Sequence, residues 1–187
     1  MQKIERELIQ KAGEGDMGAF REIYQRASGY VYTLAYRVVN KKHDAEEVTQ
    51  DVFLKLHQSL SSFKFEASFK TWLYRIAVNT ALNHAKKRSR VTTREVEEVC
   101  EDPATVTQPD AGKGIEAGET AARLKVLLDQ LNPDQRACIV LREIEGLDYQ
   151  EIARSLGINI NTVRSRLKRA REALMALGQM EVASHGM

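Results

Sequence analysis

Apolar residues return at every third or fourth position along most of this chain, and they almost never alternate. Phe20, Ile23, Tyr24 and Ala27 are followed by Val31, Leu34, Ala35 and Val38. That spacing lines one face of a helix, whereas a half-buried strand needs a period of two. A chain patterned this way must bury helical stripes against other helices, which predicts an all-α fold. The helix starts are legible as well. The segments beginning at Asp44, Asn132 and Asp148 place Glu47, Gln135 and Glu151 three residues on. Each has the form of a capping box, in which two side chains satisfy two otherwise unpaired backbone amides. Pro133 stands at a first helical position, where its missing N–H is harmless. Gly146 and Gly157 fall where helices should stop.

The periodicity breaks between Val91 and Gly118, a stretch with two prolines, three glycines and many acids. Such composition predicts a flexible acidic linker. The expected organisation is two small helical domains, residues 1–92 and 119–178, joined by residues 93–118 and followed by a short tail, 179–187. Charge follows the same division. The net charge is +6 over residues 1–92, −5 over 93–118 and +1 over 119–187.

Composition narrows the function classes. No apolar run approaches the roughly 20 residues of a membrane span. The opening MQKIERELIQ has acids and no apolar core of a signal peptide. Cys100 and Cys138 stand alone, which is no disulfide framework and fits a reducing cytoplasm. His43, His57, His84 and His185 lack metal-ligand spacing, so no metal or cofactor is expected.

The segment after Asp148 carries the most specific pattern. A helix is expected from Tyr149 to about Leu156, then a turn at Gly157-Ile158. A second helix begins near Asn159–Asn161 and turns Val163, Leu167, Ala170 and Leu174 inward. This is a helix-turn-helix. The second helix holds Arg164, Arg166, Lys168, Arg169 and Arg171, with no acid before Glu172. Asn161, Arg164, Ser165, Lys168 and Arg169 form one outward stripe. A solvated basic helix would interleave acids for i,i+4 pairing, and this one does not. The stripe suits the major groove, with the N-terminal residues on base edges. Arg166 and Arg171 point to the flanks, where phosphates lie.

In the front half, Phe63 and Phe65 sit in a short loop. A helix follows with Phe69, Trp72, Leu73, Ile76 and Val78, ending in Lys86, Lys87, Arg88 and Arg90. Aromatics beside cations fit either a plain core with a solvated end or a surface for single-stranded DNA, where bases stack and phosphates are neutralised. Trp72 is expected in the core.

The chain at this point resembles bacterial RNA polymerase sigma factors of the extracytoplasmic-function class. The carrying motifs are DAEEVTQDVFLKL (Asp44–Leu56), FKTWLYRIAVN (Phe69–Asn79) and GININTVRSRLKRARE (Gly157–Glu172), in the family's order. The likeness runs from about residue 4 to 178. It implies an alternative sigma factor that binds core polymerase and directs promoter-specific initiation, with roles in regulated responses such as stress. The polymerase-binding helix falls on Asp44–Leu56. Gln50 and Asp51 match the polar pair that engages the clamp helices of the largest subunit, and Glu47 and Leu54 share their face. The flap of the second-largest subunit is the other expected polymerase contact.

The family's minus-10 loop, which captures a flipped base, falls on Phe63, Lys64, Phe65, Glu66, Ala67 and Ser68. Flipping costs a few kcal/mol, which a fitted pocket must offset. Asn79 matches a minus-10 contact. Phe65 stands where relatives often have Gly, which sets this loop's shape and base preference apart. The minus-35 residues implied are Asn161, Thr162, Arg164, Ser165, Arg166, Lys168, Arg169 and Arg171. Asn159 and Asn161 replace the Pro or Ser and the Gly common there, and both can cap. The acidic linker matches a segment that threads toward the polymerase active centre; its charge fits a nucleic-acid mimic and an inert tether equally. The resemblance also implies a cognate anti-sigma factor, usually membrane-linked, that covers the polymerase-binding surfaces.

Two other classes fit less. A sensor-regulated helix-turn-helix protein with a receiver domain would alternate strands and helices in its first half. An enzyme would show a Gly-rich phosphate loop, a nucleophile elbow or a metal cluster.

Overall fold

The computed structural model describes residues 3–95 and 126–184, and among them there is no strand. The front half holds α1 (Arg6–Gly13), α2 (Met17–Val39), α3 (Lys42–Ser59) and α4 (Phe69–Glu95), with a 3-10 turn at Leu60–Ser62. The back half opens with helical residues 126–129. It continues with α5 (Pro133–Ile139), a π turn (Val140–Ile144), α6 (Tyr149–Leu156) and α7 (Ile160–Ser184).

Most of the predicted stripe of α2 is its buried face: Ile23, Ala27, Val31, Leu34, Ala35 and Val38 are all sealed, whereas Phe20 is half-buried. Tyr24, expected on the same face, is 46% exposed because it lies at the edge of the stripe. The sealed residues meet Ala45, Val48, Val52 and Leu56 of α3 and Leu73, Ala77 and Val78 of α4. Full burial of a Val or Leu side chain is worth about 1.5–3 kcal/mol, so this apolar layer dominates the first domain's cohesion. Gly13 ends α1 against the 3-10 turn. A Cβ there would lie 3.3 Å from the Leu60 carbonyl oxygen, a tight contact that would push the turn back by a few tenths of an ångström. In the back half, Leu128, Leu131, Cys138, Leu141, Leu147, Ile152, Val163 and Leu167 build the core.

Two of the three expected capping boxes form. Asn132 accepts from the Gln135 amide at 2.9 Å, and Gln135 reaches back at 3.1 Å. Asp148 and Glu151 do the same at 2.7 and 2.8 Å. The box at Asp44 does not form. The chain is already helical at Lys42, because the Ala45 amide bonds to the Lys41 carbonyl at 3.0 Å. Asp44 therefore sits inside the first turn, buried, and its carboxylate pairs with Arg88 of α4. A tertiary cation outcompetes the local amide. A cap missed in the sequence is Asp16, which accepts from Gly18 N at 2.7 Å and Ala19 N at 3.1 Å to start α2.

Helix α4 continues through Glu95, past the point where the sequence pattern dissolves, and α7 runs to Ser184, into the expected tail. The rest of the acidic segment, with Cys100, lies outside the described residues, as does His185. The two halves also touch. Helix α5 packs on α2 and α4, α6 packs on α4, and the π turn meets α2.

Candidate polymerase and DNA interfaces

The helix-turn-helix is built as its sequence demands. Gly157 closes α6 in the left-handed region (φ +63°), a conformation that costs a side chain about 1–2 kcal/mol. The Asn159 side chain accepts from the Asn161 amide at 2.8 Å and so caps α7. Val163, Leu167 and Ala170 face the core and Leu174, expected with them, is half-buried, while Asn161, Arg164, Ser165, Lys168 and Arg169 are exposed together. Arg164 donates to the Asn161 carboxamide oxygen at 2.9 Å, which holds the two groups side by side at the helix start. Thr162 is half-buried, and its carbonyl accepts from Ser165 Oγ at 3.0 Å.

The two flank arginines are engaged inside the protein. Arg166 pairs with Asp134 of α5 at 3.1 Å. Arg171 pairs with Glu143 at 2.8 Å and approaches the Tyr149 hydroxyl at 3.4 Å. Glu143 first, then Tyr149, holds the Arg171 guanidinium above its ordinary pKa. These contacts brace α7 against the rest of the domain, so the cations on the outer face are Arg164, Lys168 and Arg169. Lys168 reaches Glu172 only at 3.8 Å.

On α3, Glu47, Gln50, Asp51 and Leu54 are all exposed, on the side away from the core. Leu54 is 62% exposed, a large apolar side chain offered to solvent beside two acids. Glu47 is held in place by His84 Nε2 at 2.8 Å and by His43 at 3.5 Å. The His84 hydrogen bond is the main cause of a lowered Glu47 pKa.

The loop before α4 is an aromatic stack. Phe65 and Phe63 lie 4.7 Å apart, and Phe63 stacks on Trp72 at 4.7 Å with 25° between rings. The Arg6 guanidinium sits 4.4 Å over the Phe65 ring. Phe65 has φ +59°, the left-handed region where glycine is at ease. Lys64, Glu66, Ala67 and Ser68 are exposed, and Ser68 caps α4 by accepting from Thr71 N at 3.0 Å. Trp72, expected in the core, is half-buried. With Lys55, Arg75, Ile76, Asn79, Thr80 and Asn83 it lines a surface groove along α4. Asn79 in that groove donates to the Ser155 carbonyl of α6 at 2.8 Å.

Among the described residues no cluster of His, Cys, Asp and Glu could hold a metal ion. No described helix is long and apolar enough to cross a membrane. Cys138 is buried, and burial pushes its thiol up to about 11.

These features define a class: an all-helical protein with a helix-turn-helix at one end and an aromatic, cationic groove at the other. Comparison with known proteins agrees. Residues 23–91 match the family described as Sigma-70 region 2, and residues 121–174 match Sigma-70, region 4. The chain is 35% identical to the RNA polymerase sigma-H factor of Pseudomonas aeruginosa, over 92% of this chain and 93% of that protein. It is 34% identical to the ECF RNA polymerase sigma-E factor of Escherichia coli, over 89% of this chain and 90% of that protein. Among solved structures it resembles the sigma factor RpoE in complex with the anti-sigma factor NepR from Bartonella quintana. There the TM-score is 0.65 with 26% identity, over 86% of this chain and 96% of that one. It also resembles CnrH in complex with the cytosolic domain of CnrY, with TM-score 0.60 and 27% identity, over 94% and 97% of the two chains. The chain belongs to the extracytoplasmic-function class of RNA polymerase sigma factors.

Sequence reasoning missed the contacts between the halves. Lys70 of α4 pairs with Glu145 at 2.8 Å, Asn40 bonds to Asp129, and Arg75 reaches the Arg154 carbonyl at 3.4 Å. The partners are far apart in the chain, and no local pattern marks them. Asp16 was findable, since it directly precedes an apolar helical run.

Proposed function

We propose that this chain recruits core RNA polymerase to a set of promoters and opens them there. The first domain, residues 1–92, docks through Glu47, Gln50, Asp51 and Leu54 on the clamp helices of the largest subunit. Its loop, Phe63–Ser68, takes a flipped base of the minus-10 element, and Asn79 contacts the same strand. The second domain, residues 119–178, meets the flap of the second-largest subunit. It reads minus-35 DNA with Asn161, Arg164, Ser165, Lys168 and Arg169. Thr162 adds a contact at the helix start. Arg166 and Arg171 approach the flanking phosphates while they brace the helix. Residues 93–118 join the domains, and 179–187 form the tail. No residue has a catalytic role; bond formation stays with the polymerase. The protein acts in the cytoplasm, and an anti-sigma factor covers its polymerase-binding surfaces until the inducing signal arrives.

The observation that carries this reading is the outward stripe of α7, which leaves Arg164, Lys168 and Arg169 facing solvent in the second helix of a helix-turn-helix. A competing reading, a DNA-binding regulator, has the same helix but no use for the exposed Glu47–Leu54 face. Run-off transcription on genomic fragments with core polymerase separates the two. Initiation at mapped start sites that depends on this protein is the expected result. Binding to duplex DNA without any initiation would favour the regulator.

A further inference from the structure

Phe65 holds a backbone conformation that its side chain opposes. Its φ is +59°, the left-handed region, where a Cβ crowds the following carbonyl and glycine does not. The other described non-glycine residue with positive φ, Asn40, is a helix C-cap, a role asparagine takes readily. Phe65 caps no helix and has no polar group to bond locally. A bulky residue persists there only when its surroundings hold it.

The holders are a ring and a cation. Phe63 lies 4.7 Å from the Phe65 ring and stacks in turn on Trp72 at 4.7 Å. The Arg6 guanidinium sits 4.4 Å over the same Phe65 ring. Arg6, Phe65, Phe63 and Trp72 thus form one chain of contacts from α1 across the loop to α4. Arg6 is exposed, so this is a cation laid on a ring at the surface and not a piece of the core.

The surroundings of Arg6 favour that use. The acids beside it are taken: Glu5 pairs with Arg26 at 2.7 Å and Glu7 with Lys11 at 2.8 Å. Arg26 of α2 also reaches the Lys3 carbonyl at 3.4 Å, which ties the start of α1 to α2 and fixes where Arg6 stands. The same helix packs on the 3-10 turn Leu60–Ser62 that feeds the loop. The backbone entering the loop and the ring at its centre therefore both rest on α1.

The inference rests on the sigma-factor reading, in which Phe63–Ser68 captures a flipped base. A fitted pocket discriminates by shape, so whatever fixes the backbone at Phe65 also fixes which base fits. We propose that Arg6 is a positioning residue for minus-10 recognition. From α1 it clamps the Phe65 ring, holds the loop in its left-handed form, and sets the base preference through Phe65 without touching DNA. A phosphate contact by the same cation would instead act on all sequences alike.

A double-mutant cycle on the full chain tests it, with Arg6→Ala, Phe65→Gly and the two together. The first readout needs neither polymerase nor DNA. Trp72 is the single tryptophan of the chain and stands at the far end of the contacts. Arg6→Ala should shift its emission to the red and raise its quenching by acrylamide, with helix content by circular dichroism unchanged. In the Phe65→Gly background the same substitution should do neither. The second readout is transcription by the reconstituted holoenzyme from a library of minus-10 variants. Arg6→Ala should change their relative use by about fivefold, the size a cation–π contact at an exposed site supplies. It should add nothing once residue 65 is glycine. Unchanged Trp72 emission, an unchanged ranking of minus-10 variants, or effects of equal size in the Phe65→Gly background would each overturn the proposal. So would equal weakening on every sequence with a smaller salt slope, which marks a phosphate contact. A wild-type protein that supports no initiation, with the Trp72 readout coupled as expected, strikes the sigma-factor reading and leaves the clamp on Phe65 standing.

Discussion

The two DNA faces proposed for this protein are assembled on different scales. The minus-35 stripe belongs to one helix, α7, whose cap at Asn159, inward residues and outward residues all lie within a dozen positions. The proposed minus-10 face draws on the loop through Phe63 and Phe65, which pack against Arg6 of α1 and Trp72 of α4, and on Asn79 of α4. The first face is fixed by helix geometry alone. The second exists only once three elements have packed, and its outer edge is shared with the other domain. A site made by one helix stands ready in the free protein. A site made by packing can be altered from any of its elements.

Several variants would break or sharpen that contrast, beginning with the largest effect. Asp51→Arg should take both proposed faces from the promoter at once, because it breaks the proposed contact with their common carrier. Charge reversal at a polymerase contact costs several kcal/mol, so affinity for core polymerase should fall by at least about 100-fold. Unchanged circular dichroism would show that the fold is intact, since Asp51 is exposed. Normal competition for core polymerase would misplace the interface.

Phe65→Gly acts on the packed face only. It relieves a left-handed backbone worth about 1–2 kcal/mol and removes the ring between Arg6 and Phe63. The two effects oppose, so the melting midpoint should move little. The preference among minus-10 sequences should change clearly, as a library of minus-10 variants transcribed by the holoenzyme will report. An unaltered minus-10 profile would remove Phe65 from the reading of that element.

Arg171→Ala probes the single-helix face. Its exposed pair with Glu143 is worth at most about 1 kcal/mol to stability. Binding should weaken for all minus-35 sequences alike, with the salt slope reduced by about one. A changed ranking of sequences would make Arg171 a base reader.

The smallest effect concerns Glu47. His84, its first cause, lowers the Glu47 carboxyl below the ordinary value of 4.5. A lowered carboxylate stabilises the fold above its unfolded pKa and loses that contribution as pH falls through the folded value. The contact is therefore complete at neutral pH and fades only in acid. Titration of the Glu47 side chain by NMR in His84→Ala should move its pKa up toward 4.5; no movement would refute the assignment.

What the sequence made legible follows the same division of scales. The stripe of α7, the boxes at Asn132 and Asp148 and the stop at Gly157 are short-range patterns, and the structure has them. Asp44 carried the same local signature as Asp148, yet Arg88 of another helix claimed it. The ion pairs of Arg166 with Asp134 and of Arg171 with Glu143 had no local signature, because both acids lie outside any helical window around the arginines. The Lys70–Glu145 and Asn79–Ser155 contacts had no signature at all, since each partner is ordinary in its own segment. Half-burial of Trp72 has the same origin. A long apolar stripe predicts which face of α4 turns inward, and only the packed loop decides how far its edge is covered.

The most direct test of two separate DNA faces is transcription by the reconstituted holoenzyme on two promoter libraries, one varied at minus-35 and one at minus-10. Arg169→Ala should flatten the minus-35 profile, by about 1–3 kcal/mol of lost discrimination, and leave the minus-10 profile as in wild type. Asn79→Ala should do the reverse. If Arg169→Ala keeps the full minus-35 profile, or if either variant flattens both libraries, the division of promoter reading between these two faces is contradicted.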